Sequence, residues 1–194
     1  MGFSDFERKV FETYDDRLCM ITTSLEREII AQGYDATMSN DAKRVFFLDL
    51  SQSLRMAIVG TNSRSEIIAE NVLRYIITDD GYVYYVDNNN ELYFKKITDS
   101  IHYLGTLLLE EVMGYSLELF RGDTVFFTTR GDTLWYSKGS EAEKVDNDVI
   151  SVDVYNDNVV YQKKSGAVYR SYGRVLEFKE FMFIEMQTVP WARR

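Results

Sequence analysis

Four stretches of this chain open in the same way: Val45-Phe46-Phe47, Val83-Tyr84-Tyr85, Val125-Phe126-Phe127 and Val159-Val160-Tyr161. Nine residues after each leading valine stands another apolar residue: Leu54, Leu92, Leu134 and Val168. The outer spacings vary, at 38, 42 and 34 residues, while the inner offset does not. A fixed offset inside a looser period marks a repeated β unit that buries its apolar face by stacking on like units. That constraint fixes the architecture before any chemistry is considered.

Each unit reads as four strands separated by turns. A first segment (Tyr34 to Met38, Leu73 to Thr78, Ser116 to Phe120, Ile150 to Tyr155) precedes a polar turn: Ser39-Asn40-Asp41, Asp79-Asp80-Gly81, Arg121-Gly122-Asp123, Asn156-Asp157-Asn158. Asn, Asp and Gly suit such turns because they tolerate positive φ or bond their own backbone. The valine-led strand follows, then a second turn: Ser51-Gln52-Ser53, Asp87-Asn88-Asn89-Asn90, Arg130-Gly131-Asp132, Lys164-Ser165-Gly166. Third strands are expected over Leu54 to Val59, Leu92 to Ile97, Leu134 to Ser137 and Val168 to Tyr172. Weaker fourth strands are expected over Ser65 to Ala69, Tyr103 to Leu109, Ala142 to Val145 and Val175 to Phe178. Four strands per unit is the make-up of a propeller blade. The valine-led strands are apolar at consecutive positions (Val45, Phe46, Phe47, Leu48; Val83, Tyr84, Tyr85, Val86). A strand covered on one face alternates, whereas one sandwiched between neighbouring sheets does not need to. The expectation is an all-β fold with an N-terminal helix: a small β-propeller-like fold of four or five antiparallel blades.

Two domains are expected: residues 1–33 as an N-terminal helical segment or degenerate first blade, and residues 34–194 as the repeat domain. Ser4-Asp5-Phe6-Glu7 fits a capping box, and Phe3, Phe6, Val10, Phe11, Tyr14 and Leu18 follow helical spacing. Thr23-Ser24-Leu25-Glu26 offers a second box, with Gly33 as a helix stop. A competing reading makes Arg17 to Ile21 and Glu28 to Gln32 strands of an extra unit, which the β-branched run Ile21-Thr22-Thr23 favours. Residues 98–114 are the least regular, and Ile101, Leu104, Leu107, Leu108 and Val112 also fit a helix. The run from Val175 to Val189 is expected to close the structure as a final strand or short helix, ended by Pro190. An incomplete propeller would leave unpaired strand edges, which invite a partner or a second copy.

Ser39-Asn40-Asp41-Ala42-Lys43-Arg44-Val45-Phe46-Phe47 resembles the opening of TolB-type blades, where a serine, an aspartate and a basic residue precede the apolar strand. Asp80-Gly81-Tyr82-Val83-Tyr84-Tyr85-Val86-Asp87 is similar to a propeller domain of unknown function common in Gram-positive bacteria. Over about residues 34–180 the units thus resemble bacterial propeller repeats of the TolB or low-density-lipoprotein-receptor-like kind. The receptor type's Tyr-Trp-Thr-Asp signature and the Trp-Asp pair of the Trp-Asp repeats are absent. Thr129 to Trp135 is similar to a sialidase Asp-box, with the glycine one place early and no serine. The motifs report packing and turns, so the resemblance implies a fold and assigns no functional residue.

Chemistry-bearing residues are sparse. The single histidine, His102, has no glycine-flanked serine elbow for company, and one His with one Cys cannot build a usual zinc site. No metal ligand set, no cofactor motif and no glycine-rich phosphate loop is found. Cys19 can form no internal disulfide and reads as a small buried apolar side chain. The turn carboxylates Asp79, Asp80, Asp123, Asp132 and Asp157 could in principle form an acid–base pair, but turn formation explains each of them. Asp87-Asn88-Asn89-Asn90-Glu91 is oxygen-rich yet reads as a hairpin turn and not as a calcium loop.

A net charge of −9 opposes non-specific nucleic-acid binding, and the basic set Lys163, Lys164, Arg170, Arg174, Lys179, Arg193 and Arg194 reads as solvated charge. No run of about 18 apolar residues predicts a membrane-spanning helix, and the N-terminus lacks a signal peptide's features. The expectation is a soluble protein, cytoplasmic or an excised extracellular domain. Aromatics on the third strands, Tyr93, Phe94, Trp135, Tyr136, Tyr169 and Tyr172, are the candidate ligand- or partner-binding residues, with packing between blades as the plain alternative. The function expected is a non-enzymatic interaction module that binds another macromolecule, a protein partner or a second copy. A small-ligand or carbohydrate receptor and a hydrolase using turn carboxylates are the rivals.

Overall fold

The structure, a computed structural model, describes residues 10–14, 17–21, 27–59, 65–97, 105–155, 158–172 and 182–186. Among them strands form five antiparallel sheets, each a simple meander in chain order. Sheet I has three strands, β1 (Val10–Tyr14), β2 (Arg17–Ile21) and β3 (Arg27–Gln32). Sheet II comprises β4 (Tyr34–Met38), β5 (Arg44–Leu48), β6 (Leu54–Ile58) and β7 (Glu66–Ala69). Sheet III comprises β8 (Val72–Ile77), β9 (Tyr82–Asp87), β10 (Leu92–Lys96) and β11 (Thr106–Leu109). Sheet IV comprises β12 (Glu118–Phe120), β13 (Thr124–Thr128), β14 (Thr133–Lys138) and β15 (Glu141–Asn147). Sheet V comprises β16 (Val149–Tyr155), β17 (Asn158–Lys163), β18 (Val168–Tyr172) and β19 (Met182–Met186). The four-stranded sheets are arranged like propeller blades.

The second strand of each blade holds the core. Val45, Val83, Val125 and Val159 are all fully buried, so the four repeats share one environment. Side chains alternate across the strand, and each face meets a different neighbour. Phe46 and Leu48 of sheet II pack with Val72, Tyr75, Ile77, Val83 and Tyr85 of sheet III. On the other face of sheet III, Tyr84 and Val86 pack with Val112, Leu117, Val125 and Phe127 of sheet IV. Phe126 then faces Val149, Val152, Val159 and Tyr161 of sheet V. The first and third positions of the motif therefore look back, and the second and fourth look forward. Consecutive apolar residues are needed because both faces are interior.

Tyrosines tie the sheets together through polar contacts. The Tyr75 hydroxyl donates to the carbonyls of Phe46, at 2.9 Å, and of Asp35. The Tyr84 hydroxyl donates to Gly139 O at 3.0 Å, and the Tyr161 hydroxyl to Asp146 Oδ2 at 2.7 Å. A buried hydroxyl needs such an acceptor, since an unmade hydrogen bond costs more than a made one contributes.

The links between sheets repeat as closely as the strands do. Asn71, Glu111 and Asp148 all adopt positive φ. Their carbonyls accept from Asn88, Arg130 and Lys164 N–H in the following sheet's hairpin at 2.7–2.9 Å. The next residue's N–H (Val72, Val112, Val149) donates to Gln52, Asn90 or Asp132 O in the preceding sheet's hairpin, each at 2.8 Å. Each two-residue link thus stitches two hairpins and sets the step from one blade to the next.

Register also repeats on the outer pair. A bulge falls between Leu54 and Arg55, between Leu92 and Tyr93 and between Leu134 and Trp135. It recurs in sheet I between Leu18 and Cys19, so β1, β2 and β3 share the register of the second, third and fourth strands elsewhere.

Three expectations change. The helix expected near the N-terminus is not formed by residues 10–14, 17–21 or 27–32, which are strands. Their β-branched and aromatic residues favour extended backbone, and the apparent helical spacing was a coincidence of short alternating runs. The capping residues Ser4 to Glu7 lie outside the described residues. Within the described residues 105–114 the helical alternative gives way to strand β11 and the start of a 3-10 turn, Gly114–Ser116, while 98–104 (and His102) lie outside the described residues. The fourth strand of sheet V is Met182–Met186, later than the expected Val175 to Phe178, a stretch outside the described residues.

Phe126 is fully buried between sheets IV and V and contacts Phe120 and Tyr136 at ring-centroid distances of 6.0 and 5.9 Å. Phe126→Ala should therefore cost about 3–5 kcal/mol, measured as a lowered urea midpoint at unchanged slope. A cost below about 1 kcal/mol would contradict a core shared between blades.

Candidate binding groove

The same third-strand position recurs in three blades: Tyr93 opposite Tyr85, Trp135 opposite Phe127, Tyr169 opposite Tyr161. By the alternation above, each of these pairs faces the preceding sheet. The three inter-sheet spaces they enter differ in chemistry.

Between sheets III and IV the space is apolar. Trp135 packs beside Phe127 with Leu108 and Leu109 of β11. Between sheets IV and V it is polar and internally neutralised. Tyr161 and Tyr169 stack, with centroids 5.1 Å apart and planes 12° from parallel. Lys163 Nζ lies 5.7 Å from the Tyr169 ring centre and 2.8 Å from Asp146 Oδ1. Burial pushes the Asp146 carboxyl up, but hydrogen bonds from Lys163, Tyr161 and the Asn147 N–H outweigh it and hold it below the usual range.

Between sheets II and III lies a groove of about 490 Å³, lined by Ile67, Ile68, Ala69, Glu70, Tyr85, Asp87, Tyr93 and Gly105. Tyr85 and Tyr93 stack as their counterparts do, at 5.3 Å and 13°. The Tyr93 hydroxyl donates to Glu91 Oε2 at 2.7 Å. That hydrogen bond first, and burial second, push the phenol up to about 12. Asp87 Oδ1 accepts the N–H groups of Asn89 and Glu91 at 2.9 and 3.0 Å, which holds the hairpin under the groove. Gly105 allows the walls to close: a Cβ there would sit 2.6 Å from the Tyr85 hydroxyl oxygen. The lining holds two carboxylates and no lysine or arginine.

Of the six aromatics singled out in the sequence, Tyr93 lines this groove. Phe94 looks the other way, 6.2 and 6.4 Å from Tyr82 and Tyr84. Trp135 is half-buried between sheets III and IV, and Tyr136 is buried, its hydroxyl donating to Glu143 Oε2 at 2.8 Å. Tyr169 packs between sheets IV and V, while Tyr172 belongs to β18 and its side chain lies outside the description. The five whose side chains are described divide among three inter-sheet spaces, Tyr93 in the first, Phe94 and Trp135 in the second, Tyr136 and Tyr169 in the third. Ile67, Glu70 and Gly105 were not anticipated. Aligning the units would have exposed the site, because Asp87 occupies the place held by Lys163 in sheet V.

Three of the turn carboxylates have structural partners. Asp80 accepts from the Thr78 hydroxyl at 2.5 Å, Asp123 pairs with Lys138 at 2.5 Å, and Asp132 pairs with Lys164. Asp157 lies outside the described residues. Lys163 and Lys164 of the basic set are likewise engaged, with Asp146 and Asp132. Among the described residues, no group of three or more His, Cys, Asp or Glu could hold a metal ion, and no helix is long and apolar enough to cross a membrane.

Comparison with solved structures places this architecture among known ones. The N-terminal domain of Nup159 superposes with a TM-score of 0.60 at 10% identity, covering 95% of this chain and 60% of that one. The C-terminal WD40 domain of Sif2 matches at 0.51 and 14% identity over 81% of this chain and 51% of the other. The tricorn protease matches at 0.54 and 9% identity, over 87% of this chain and 24% of its own. The fold is β-propeller-like. The chain spans about 60% or less of the length of these structures, and the likeness is one of fold alone. No family model and no curated protein matches the sequence.

Asp41, Asp49 and Asp146 are all held below the ordinary carboxylate value. A carboxyl depressed in the folded state contributes stability above its unfolded pKa and loses it as pH falls through the folded value. The thermal midpoint should stay level from about pH 7 to 5 and drop below about pH 4. Asp146→Asn should cost about 1–2 kcal/mol at pH 7 and shrink the acid drop, read by urea unfolding at pH 7 and pH 3. An acid profile identical to that of the parent protein would refute the assignment.

Proposed function

We propose that the chain is a non-enzymatic β-propeller-like module that binds another macromolecule, a protein, on the surface where its first strands converge. The observation that carries this reading is a repeated exposed bulge. Leu73 is bulged out of β8 between Val72 and Arg74, and Ile150 out of β16 between Val149 and Ser151. They occupy equivalent positions directly after the inter-sheet links, and they are 45% and 47% exposed. A first strand that served packing alone would not bulge the same apolar residue into solvent in two blades.

Tyr34 on β4 and Tyr155 on β16 add exposed aromatic area to these strands. Charged groups stand among them. Arg74 on β8 approaches Glu118 on β12 at 3.8 Å. Burial first, then the Asp153 charge on β16, raise the Glu118 carboxyl, against the opposing pull of Arg74. Three first strands therefore contribute to one field. Apolar anchors ringed by charged and polar groups are the usual composition of a protein-binding surface.

The division of the chain follows from the same reading: sheet I is a fifth, degenerate blade in register with the others. A nearer kinship with TolB-type or receptor-like blades rests on the motifs around Val45 and Val83. The engaged turn carboxylates support a non-enzymatic role. Likeness of fold does not choose among functions, since propellers serve many.

Leu73→Asp with Ile150→Asp should leave the thermal midpoint close to that of the parent, because both side chains are exposed. Affinity purification from the native cells should recover a stable partner with the parent chain and lose it with the double variant. Loss of one anchor of this kind typically weakens binding by about 2 kcal/mol, roughly thirtyfold. Recovery of the same partners by the variant, or of none by the parent, would overturn the reading.

A further inference from the structure

Resting on the protein-binding reading, we propose that the groove between sheets II and III receives a basic side chain, lysine or arginine, from a protein partner. The argument comes from the molecule's own repeat. Sheets III and V carry the same stacked tyrosine pair, Tyr85–Tyr93 and Tyr161–Tyr169, with nearly the same separation and tilt. In sheet V the pair is completed from within. Lys163 directly follows the second strand's core and lies against the Tyr169 ring, and Asp146 on β15 of the preceding sheet neutralises it.

The groove has the same frame with the charges altered. Asp87 stands where Lys163 stands, the first residue of the hairpin in each case. Ala69 stands where Asp146 stands, since they pair with Leu54 and Leu134 at the same register. The cation is thus replaced by an anion, and the side chain facing it is cut back to a methyl, which opens the space. Glu70 sits at the rim and makes no ion pair among the described residues, and Glu91 is held beside the ring by the Tyr93 hydroxyl. Lys95, two residues beyond Tyr93 on the same face of β10, lies outside the lining.

The remaining walls suit the stem of a basic side chain. Ile67, Ile68 and Ala69 are apolar, and Ile67 is 45% exposed. A long cationic side chain lays its methylene stem on apolar surface and places its charge near carboxylates. An electron-rich aromatic face within about 6 Å adds to the attraction. The third equivalent space, between sheets III and IV, is closed by its own side chains. Leu109 and Trp135 fill it, so the groove's character is not a general consequence of the blade fold.

The test uses the full chain, labelled for aromatic and methyl resonances, titrated with N-acetyl-arginine amide, N-acetyl-lysine amide and the neutral isostere N-acetyl-citrulline amide. Tyr93, Tyr85 and Ile67 should shift saturably with the two cations and stay still with citrulline, while Tyr169, already supplied with Lys163, should not respond. Glu70→Gln should weaken binding about two- to fivefold and Tyr93→Leu by at least as much. Asp87→Lys with Ala69→Asp copies the internal pair of sheet V and should abolish the shifts, with unchanged core methyl resonances reporting an intact fold. Equal response to citrulline, or shifts spread over the acidic surface and indifferent to these variants, would overturn the inference. Such a failure would leave partner capture through Leu73 and Ile150 untouched, so the two readings stand or fall separately.

Discussion

The structure depends on one requirement: the second strand of each blade must be covered on both faces by its neighbours. Val45 to Leu48, Val83 to Val86 and Val125 to Thr128 are buried without a break. A lone sheet with such a strand would expose half of its apolar area, at roughly 25 cal/mol for each Å² left in water. Blades are therefore stable together and not singly, as expected for stacked repeats. The alternation also gives the stack a direction, since odd positions meet the preceding blade and even positions the following one.

The links convert that requirement into geometry. Packing alone would allow neighbouring sheets to slide along their strands. The paired bonds at Asn71-Val72, Glu111-Val112 and Asp148-Val149 remove that freedom, because each link is fixed to both the hairpin behind it and the hairpin ahead. The left-handed residue in each link turns the chain sharply enough to enter a new sheet within two residues. The bulges at Leu73 and Ile150 follow immediately. The way a blade begins thus sets where the bulged residue stands, and the choice of an apolar residue there is what the packing does not require.

The second and third strands were legible in the sequence because their constraint is dense. Every residue from Val83 to Val86 is committed to a neighbour, and Asp80-Gly81 and Asn88 to Asn90 punctuate them. The N-terminal strands were ambiguous for the opposite reason: Val10 to Leu18 is short, and its apolar residues satisfy a 3.6 period and a twofold one alike. The fourth strand of sheet V was misplaced since outer strands carry few buried residues to mark them. The groove was half visible. Tyr93 stood out as an aromatic, but its meaning lies in Asp87, Ala69 and Glu70, and no single unit shows how these differ from their counterparts around Tyr169 in sheet V. Only the register between units identifies Asp87 with Lys163.

That comparison also explains why the repeats are not interchangeable. Along the forward face of the second strand the pair runs Phe46 and Leu48, Tyr84 and Val86, Phe126 and Thr128, then Val160 and Gln162. The second member of the pair passes from aliphatic in sheets II and III to polar in sheets IV and V, and the last pair is only half-buried. The spaces between blades differ as well: the one between sheets III and IV is apolar, while the one between sheets IV and V includes a tyrosine hydroxyl, a lysine and an aspartate. A polar pair can be half-buried between sheets IV and V because Asp146, Lys163 and Tyr161 satisfy one another there. Remove the lysine and the aspartate from such a space, keep the stacked rings, and what remains is a cation site without its cation. The groove between sheets II and III has that composition.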